Sequence, residues 1–141
     1  MQGSTSNSYT NQPSSPISWS TVSLDAALDV VEGDVAILQQ IVPGVLSRAL
    51  ELLDRLQTGV ARQDYAQVEL LAHRLRGGMG NVGGLAALDL ARRLENMAAA
   101  ADLADGPELL KSLTEQIGGV IAFYSDPDWP QQIVAQGAPH G

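Results

Sequence analysis

The chain has no cysteine, only two histidines, His73 and His140, and no more than eight lysines and arginines in 141 residues. Without thiols it can form neither a disulfide nor a thiolate metal site, which suits a reducing compartment and disfavours zinc. The formal charge of −8 and the shortage of cations argue against a general nucleic-acid binder, which has to neutralise a phosphate backbone. No apolar run approaches the ~18 residues of a membrane span. The first twenty residues also lack the basic start and apolar core of a secretory signal. These absences predict a cytoplasmic protein with no membrane insertion and no metal of its own. The length is that of about one domain.

What cations there are lie unevenly. Residues 1–47 contain no Lys or Arg, whereas Arg74, Arg76, Arg92 and Arg93 fall within twenty residues. A locally basic spot on an acidic chain suits a small anion or an acidic pocket on a partner.

Residues 1–20 are dominated by Ser, Thr, Asn, Gln and Pro, with isolated Ile17 and Trp19. Such a segment buries too little apolar surface to offset its ordering entropy, and it reads as a flexible arm or interdomain linker. From Ser23 the pattern turns helical. Leu24, Ala27, Leu28 and Val31 recur at three and four residues after a Ser cap, and Gly33-Asp34 supplies a stop and a new cap. A long stripe follows from Val35 to Leu56, with Pro43 inside it predicting a kink. Asp64 opens the next helix, whose inward row is Val68, Leu71, Leu75, Met79 and Val82. Another helix runs from about Gly84, and Asp105-Gly106-Pro107 starts the last, with Pro at a favoured first position. Asp126-Pro127-Asp128-Trp129-Pro130 ends it, leaving 126–141 as a tail. Period-2 alternation and hairpin turns are absent. The expected fold is all-α: an antiparallel up-and-down four-helix bundle over residues 21–125 with a short extra N-terminal helix.

Five glycines fall within eight positions, Gly77 to Gly84, directly after His73 and Arg76. Gly78-Met79-Gly80-Asn81-Val82-Gly83 satisfies the spacing G-x-G-x-x-G. The dinucleotide fingerprint works only between a strand and a helix, however, and residues 64–76 have helical period. A phosphate-cradling ATP loop is excluded more strongly, because its Lys-Ser/Thr is missing. Each glycine costs roughly 1 kcal/mol relative to Ala inside a helix, so a helix that carries several gains something from absent side chains. Projected at about 100° per residue, His73 points away from Leu75 and the core. Its neighbours on that outer face are Ala66, Glu69, Leu70, Arg76, Gly77, Gly80 and Gly84. The imidazole is expected to stand on a bare patch that another protein can approach closely.

His73-Arg74-Leu75-Arg76-Gly77-Gly78-Met79-Gly80-Asn81-Val82-Gly83 resembles the phosphoacceptor motif of histidine-containing phosphotransfer (HPt) domains, His-x-x-Lys-Gly-small-x-x-x-x-Gly. The similarity extends to Leu71-Ala72 before it and to Leu90…Leu94-Glu95 after it. Two positions depart from the pattern: Arg76 stands for the Lys, exchanging a point charge for a planar fork, and Gly78 for a small polar residue. The resemblance implies a phosphorelay intermediate that accepts a phosphoryl group on His73 from a receiver aspartyl phosphate, with Arg76 stabilising it. Partners would be response-regulator receivers, which supply the Asp and Mg²⁺, and a hybrid sensor kinase. Glu69, one turn before His73, either orients the ring or is a solvated carboxylate. Ala66, Leu70, Arg74, Gly77, Gly80 and Gly84 are candidates for partner docking, with Arg92 biasing orientation from the rim. The chain is expected to be a monomeric carrier without an ATP site, either free or as a domain of a hybrid sensor histidine kinase. The alternative is a helical adaptor that binds a partner without phosphotransfer.

Overall fold

The computed structural model describes residues 21–135, and all regular structure there is helical. The expected arm at 1–20 and the last residues of the expected tail lie outside the described residues. The elements are α1 (Leu24–Val30), α2 (Val35–Ala61), α3 (Tyr65–Asn81), α4 (Leu85–Ala99), α5 (Gly106–Ser125), a 3-10 turn (Trp129–Gln131) and α6 (Gln132–Ala135). In the bundle α3 packs on α2 and α4, and α5 packs on α4 and α2. The short α1 lies against α3 and α2.

The helix starts follow from the expected caps. The Ser23, Asp34 and Asp64 side chains accept from the N–H groups of Ala26, Ile37 and Gln67, each satisfying an otherwise orphaned donor. The helix ends share one device. The N–H groups of Gly33, Asp64, Gly84 and Asp102 donate to the carbonyls of Leu28, Gly59, Met79 and Met97, five residues back. The residue before each donor, Glu32, Gln63, Gly83 or Ala101, adopts a left-handed backbone with φ between 53° and 73°. Three of these four positions tolerate a side chain. Gly83 does not, because a Cβ there would overlap the Ser23 carbonyl oxygen and lie 3.0 Å from its carbon. The Ser23 N–H in turn donates to the Gly83 carbonyl at 2.8 Å, which pins α1 to the α3–α4 turn.

Pro43 does not break α2, which runs unbroken on both sides of it. Among the described residues α2 is also the one helix long and apolar enough to cross a membrane, a point the count of uninterrupted apolar residues missed. Its Leu38, Val42, Ala49, Leu52 and Leu56 are buried in the bundle, as a core helix requires.

The expected tail begins differently from its reading. Trp129 is only 6% exposed and meets the Tyr124 ring edge-on, with centroids 5.0 Å apart, and Tyr124 meets Phe123 in the same way at 5.1 Å. A buried indole holds residues 126–131 against α5, so the chain does not leave the domain at Ser125.

The Tyr124 hydroxyl donates to the buried Val82 carbonyl at 2.7 Å, tying α5 to the α3–α4 turn. Burial pushes this hydroxyl well above the usual tyrosine range, since the phenolate would lose its hydration. A value raised by folding contributes stability that is present below the unfolded value of about 10 and lost as pH rises beyond it. Tyr124→Phe is expected to cost about 1–3 kcal/mol at neutral pH, because it leaves the Val82 carbonyl buried without a donor. It should also flatten the fall in stability above pH ~10. Urea titrations of both proteins at neutral and alkaline pH check this, and equal neutral-pH midpoints would contradict it.

Candidate functional site

His73 lies at the middle of α3, on the side that faces α4. The inward row Val68, Leu71, Leu75 and Met79 is fully buried, so helical geometry turns residue 73 outward, and its side chain is 58% exposed. Arg76, one turn on, is one-third exposed, and Glu95 reaches across from α4 with 17% exposure. These three side chains form one network. His73 Nδ1 lies 3.0 Å from Glu95 Oε2 and 3.1 Å from Arg76 Nη2, and Arg76 Nη1 lies 3.3 Å from Glu95 Oε1. Glu95 Oε1 is buried and accepts no hydrogen bond, so the ion-pair contact with Arg76 is what compensates its charge.

The two contacts at Nδ1 belong to different protonation states. A carboxylate only accepts, so Nδ1 donates to Glu95 when it carries the proton. Arg76 can donate to Nδ1 only when it does not. With the proton on Nδ1, the Nε2 lone pair is left free for nucleophilic chemistry.

The structure brings His73 and Arg76 together as expected. It does not bring Glu69 to the ring: the Glu69 side chain is exposed and makes no hydrogen bond or ion pair among the described residues, and the carboxylate at His73 is that of Glu95. A signal for Glu95 existed in the sequence. On α4 it sits four residues after Ala91 and next to Leu94, both buried, at the edge of the inward stripe. One helix's projection shows that edge but not which neighbour it faces.

Ala66, Leu70, Arg74 and Gly77 lie on the exposed side of α3, Leu70 being 43% exposed, and a Cβ on Gly77 would meet nothing within 4 Å. Gly78 and Gly80 are partly covered by Val45 of α2 and Leu88 of α4. Gly84 is not on this surface. It is buried as the cap of α4, where a Cβ would come within 3.1 Å of Val120 and 3.3 Å of the Met79 sulfur. The projection placed it outward because it extended α3 beyond Asn81, where the helix ends. Arg92 and Arg93 both pair with Asp89 on their own helix, which spends part of their charge locally. Arg74 borders a groove of about 220 Å³ between α2 and α3, with Arg48 on its other side. Among the described residues no group of three or more His, Asp or Glu side chains is placed to hold a metal ion.

Comparison with protein families gives a match to the model of the Hpt domain over residues 40–123, more than half of the chain. Neither the curated proteins nor the solved structures give a match. The matched range takes in most of α2, all of α3 and α4, and nearly all of α5, and so contains His73, Arg76 and Glu95.

Proposed function

This chain belongs to the Hpt domain family, whose members serve histidine phosphotransfer in two-component systems, and we propose that it is a phosphorelay intermediate with His73 as phosphoacceptor. It takes the phosphoryl group from the aspartyl phosphate of one receiver domain and hands it to another. The observation that carries this reading is an imidazole whose side chain is 58% exposed while its Nδ1 is held 3.0 Å from a mostly buried carboxylate.

The chemistry follows from that arrangement. Nδ1–H donates to Glu95, and the Nε2 lone pair forms an N–P bond as the P–O bond to the aspartyl carboxylate breaks, its electron pair leaving with the carboxylate. Positive charge grows on the ring during the attack, and the Glu95 carboxylate faces it. Transfer to the second receiver runs the same step in reverse. Phosphoryl transfer needs positioning and charge neutralisation more than covalent machinery. Arg76, one turn from His73, offers a two-pronged donor to the phosphoryl oxygens. The Mg²⁺ belongs to the receiver, as does the aspartate.

The chain carries the phosphoryl group, either as a free carrier or as a domain of a hybrid sensor kinase: its glycines serve a helix face, and the Lys-Ser/Thr of an ATP-gripping loop does not accompany them. Receivers and a hybrid sensor kinase are its partners, docking over Ala66, Leu70, Arg74, Gly77 and Gly80. A monomer in the cytoplasm fits this use. Connectors of a few residues between α2, α3, α4 and α5 favour an up-and-down antiparallel order of the bundle.

Mixing the protein with a phosphorylated receiver tests this directly: acid-labile, base-stable phosphate should appear on it. Partner binding with no uptake by the native protein would identify the helical adaptor instead. Glu95→Ala is expected to slow uptake by up to about 100-fold through loss of ring orientation, with receiver affinity retained. Glu95→Gln, whose amide oxygen can still accept from Nδ1, should recover much of the rate. Unchanged kinetics in Glu95→Ala would remove the orienting role.

A further inference from the structure

A groove of about 480 Å³ opens at the C-terminal end of α5, and no part of the phosphoacceptor network lines it. Its lining is largely apolar, with Gly119, Ala122 and Phe123 of α5 and Trp129 from the turn after it. Asp126 and Gln132 are the charged and amide groups of that lining. The chain enters the described structure here. Thr21 lines the groove, and Thr21 and Val22 are already buried. Gly119 is bare because of that entry, since a Cβ on it would come within 2.8 Å of the Thr21 methyl.

The segment that ends at this groove is residues 1–20. It carries no charged side chain, and its largest apolar residue, Trp19, lies two positions before Thr21. Two residues of extended chain span at most about 7 Å, so the Trp19 backbone cannot leave the neighbourhood of the groove. Residues 136–141, which follow α6, offer only Ala138 and Pro139 as apolar groups.

We propose that the groove is the seat of the Trp19 indole, so that the chain before Thr21 is stapled to α5 and the turn after it. An aromatic side chain buries on the order of 150–250 Å² and combines an apolar body with one N–H donor. The groove matches both parts: Phe123, Ala122 and Trp129 cover the ring, and the Asp126 carboxylate or the Gln132 amide accepts from the N–H. An uncharged segment meets no repulsion from Asp126.

Fluorescence of the full-length chain tests this, because Trp19 and Trp129 are its only tryptophans. In Trp129→Phe, which keeps a ring in the wall, Trp19 should emit to the blue of N-acetyltryptophanamide and resist acrylamide several-fold better. The difference in quenching between the native chain and Trp19→Phe gives the same quantity with the groove intact. Ala122 is exposed on α5, so Ala122→Arg should leave the fold in place, fill the groove and restore free quenching of Trp19. Quenching of Trp19 equal to the free indole in both measurements would overturn the proposal. So would protection that appears only at high protein concentration, which would make a second copy the occupant.

Discussion

His73→Gln is expected to take up no phosphate from a phosphorylated receiver, while circular dichroism and the unfolding midpoint stay close to those of the native chain. The chemical part is absolute, because an amide nitrogen has its lone pair delocalised and cannot form the phosphoramidate. The structural part follows from exposure. The ring is 58% exposed and its partners are the charged tips of Arg76 and Glu95, so its removal opens no cavity. Exposed substitutions of this kind usually change stability by only ~0.5 kcal/mol. Receiver affinity should survive as well, since the surface around the ring is set by Leu70 and the glycines. Phosphate that persists in His73→Gln and disappears in His140→Gln would move the acceptor to the C-terminal end of the chain and end the present assignment.

Gly83→Ala should be the most damaging small substitution in the molecule. Three effects add at one position. A non-glycine residue in the left-handed region costs roughly 1–2 kcal/mol. The new methyl group overlaps the Ser23 carbonyl, and forced overpacking costs about 1–3 kcal/mol. Relief of the clash requires α1 to move away, which breaks the 2.8 Å bond from Ser23 N–H to the Gly83 carbonyl and loses about 1 kcal/mol. The expected total is about 3–6 kcal/mol, a large share of the ~5–15 kcal/mol typical of a domain. Glu32, Gln63 and Ala101 adopt the same backbone conformation, so Ala101→Gly provides the control and should change stability little. A loss in Gly83→Ala below about 1 kcal/mol in urea unfolding would show that α1 yields freely and pins nothing.

The face that carries His73 was legible where it depended on one helix alone. The three- and four-residue spacing of Val68, Leu71, Leu75 and Met79 determined that His73 points outward and that Arg76 follows it by one turn. The capping residues Ser23, Asp34 and Asp64 were equally readable, because a cap is a contact within four residues of sequence. The reading failed where the partner came from another element. Glu69 was the nearest carboxylate along the chain, yet the ring turns toward Glu95, 22 residues later on α4. Gly84 was assigned to the open face by extending the helical projection past the true end of α3. Trp129 read as part of a departing tail because composition does not reveal that Tyr124 offers an aromatic edge to receive it.

By itself, then, the sequence determined the all-helical class of the described residues, the starts of the capped helices, an exposed His73 with a cation one turn away, and a resemblance that the match over residues 40–123 bears out. Those properties rest on local periodicity, capping and motif spacing, which act over a few residues. Tertiary structure alone decided which carboxylate holds Nδ1, which glycines lie open on the surface and which are bare for the fold, and where the chain past Ser125 goes. Each of those depends on how two helices are juxtaposed, and side-chain contacts between elements are set by packing of the whole core, not by the order of residues in either element.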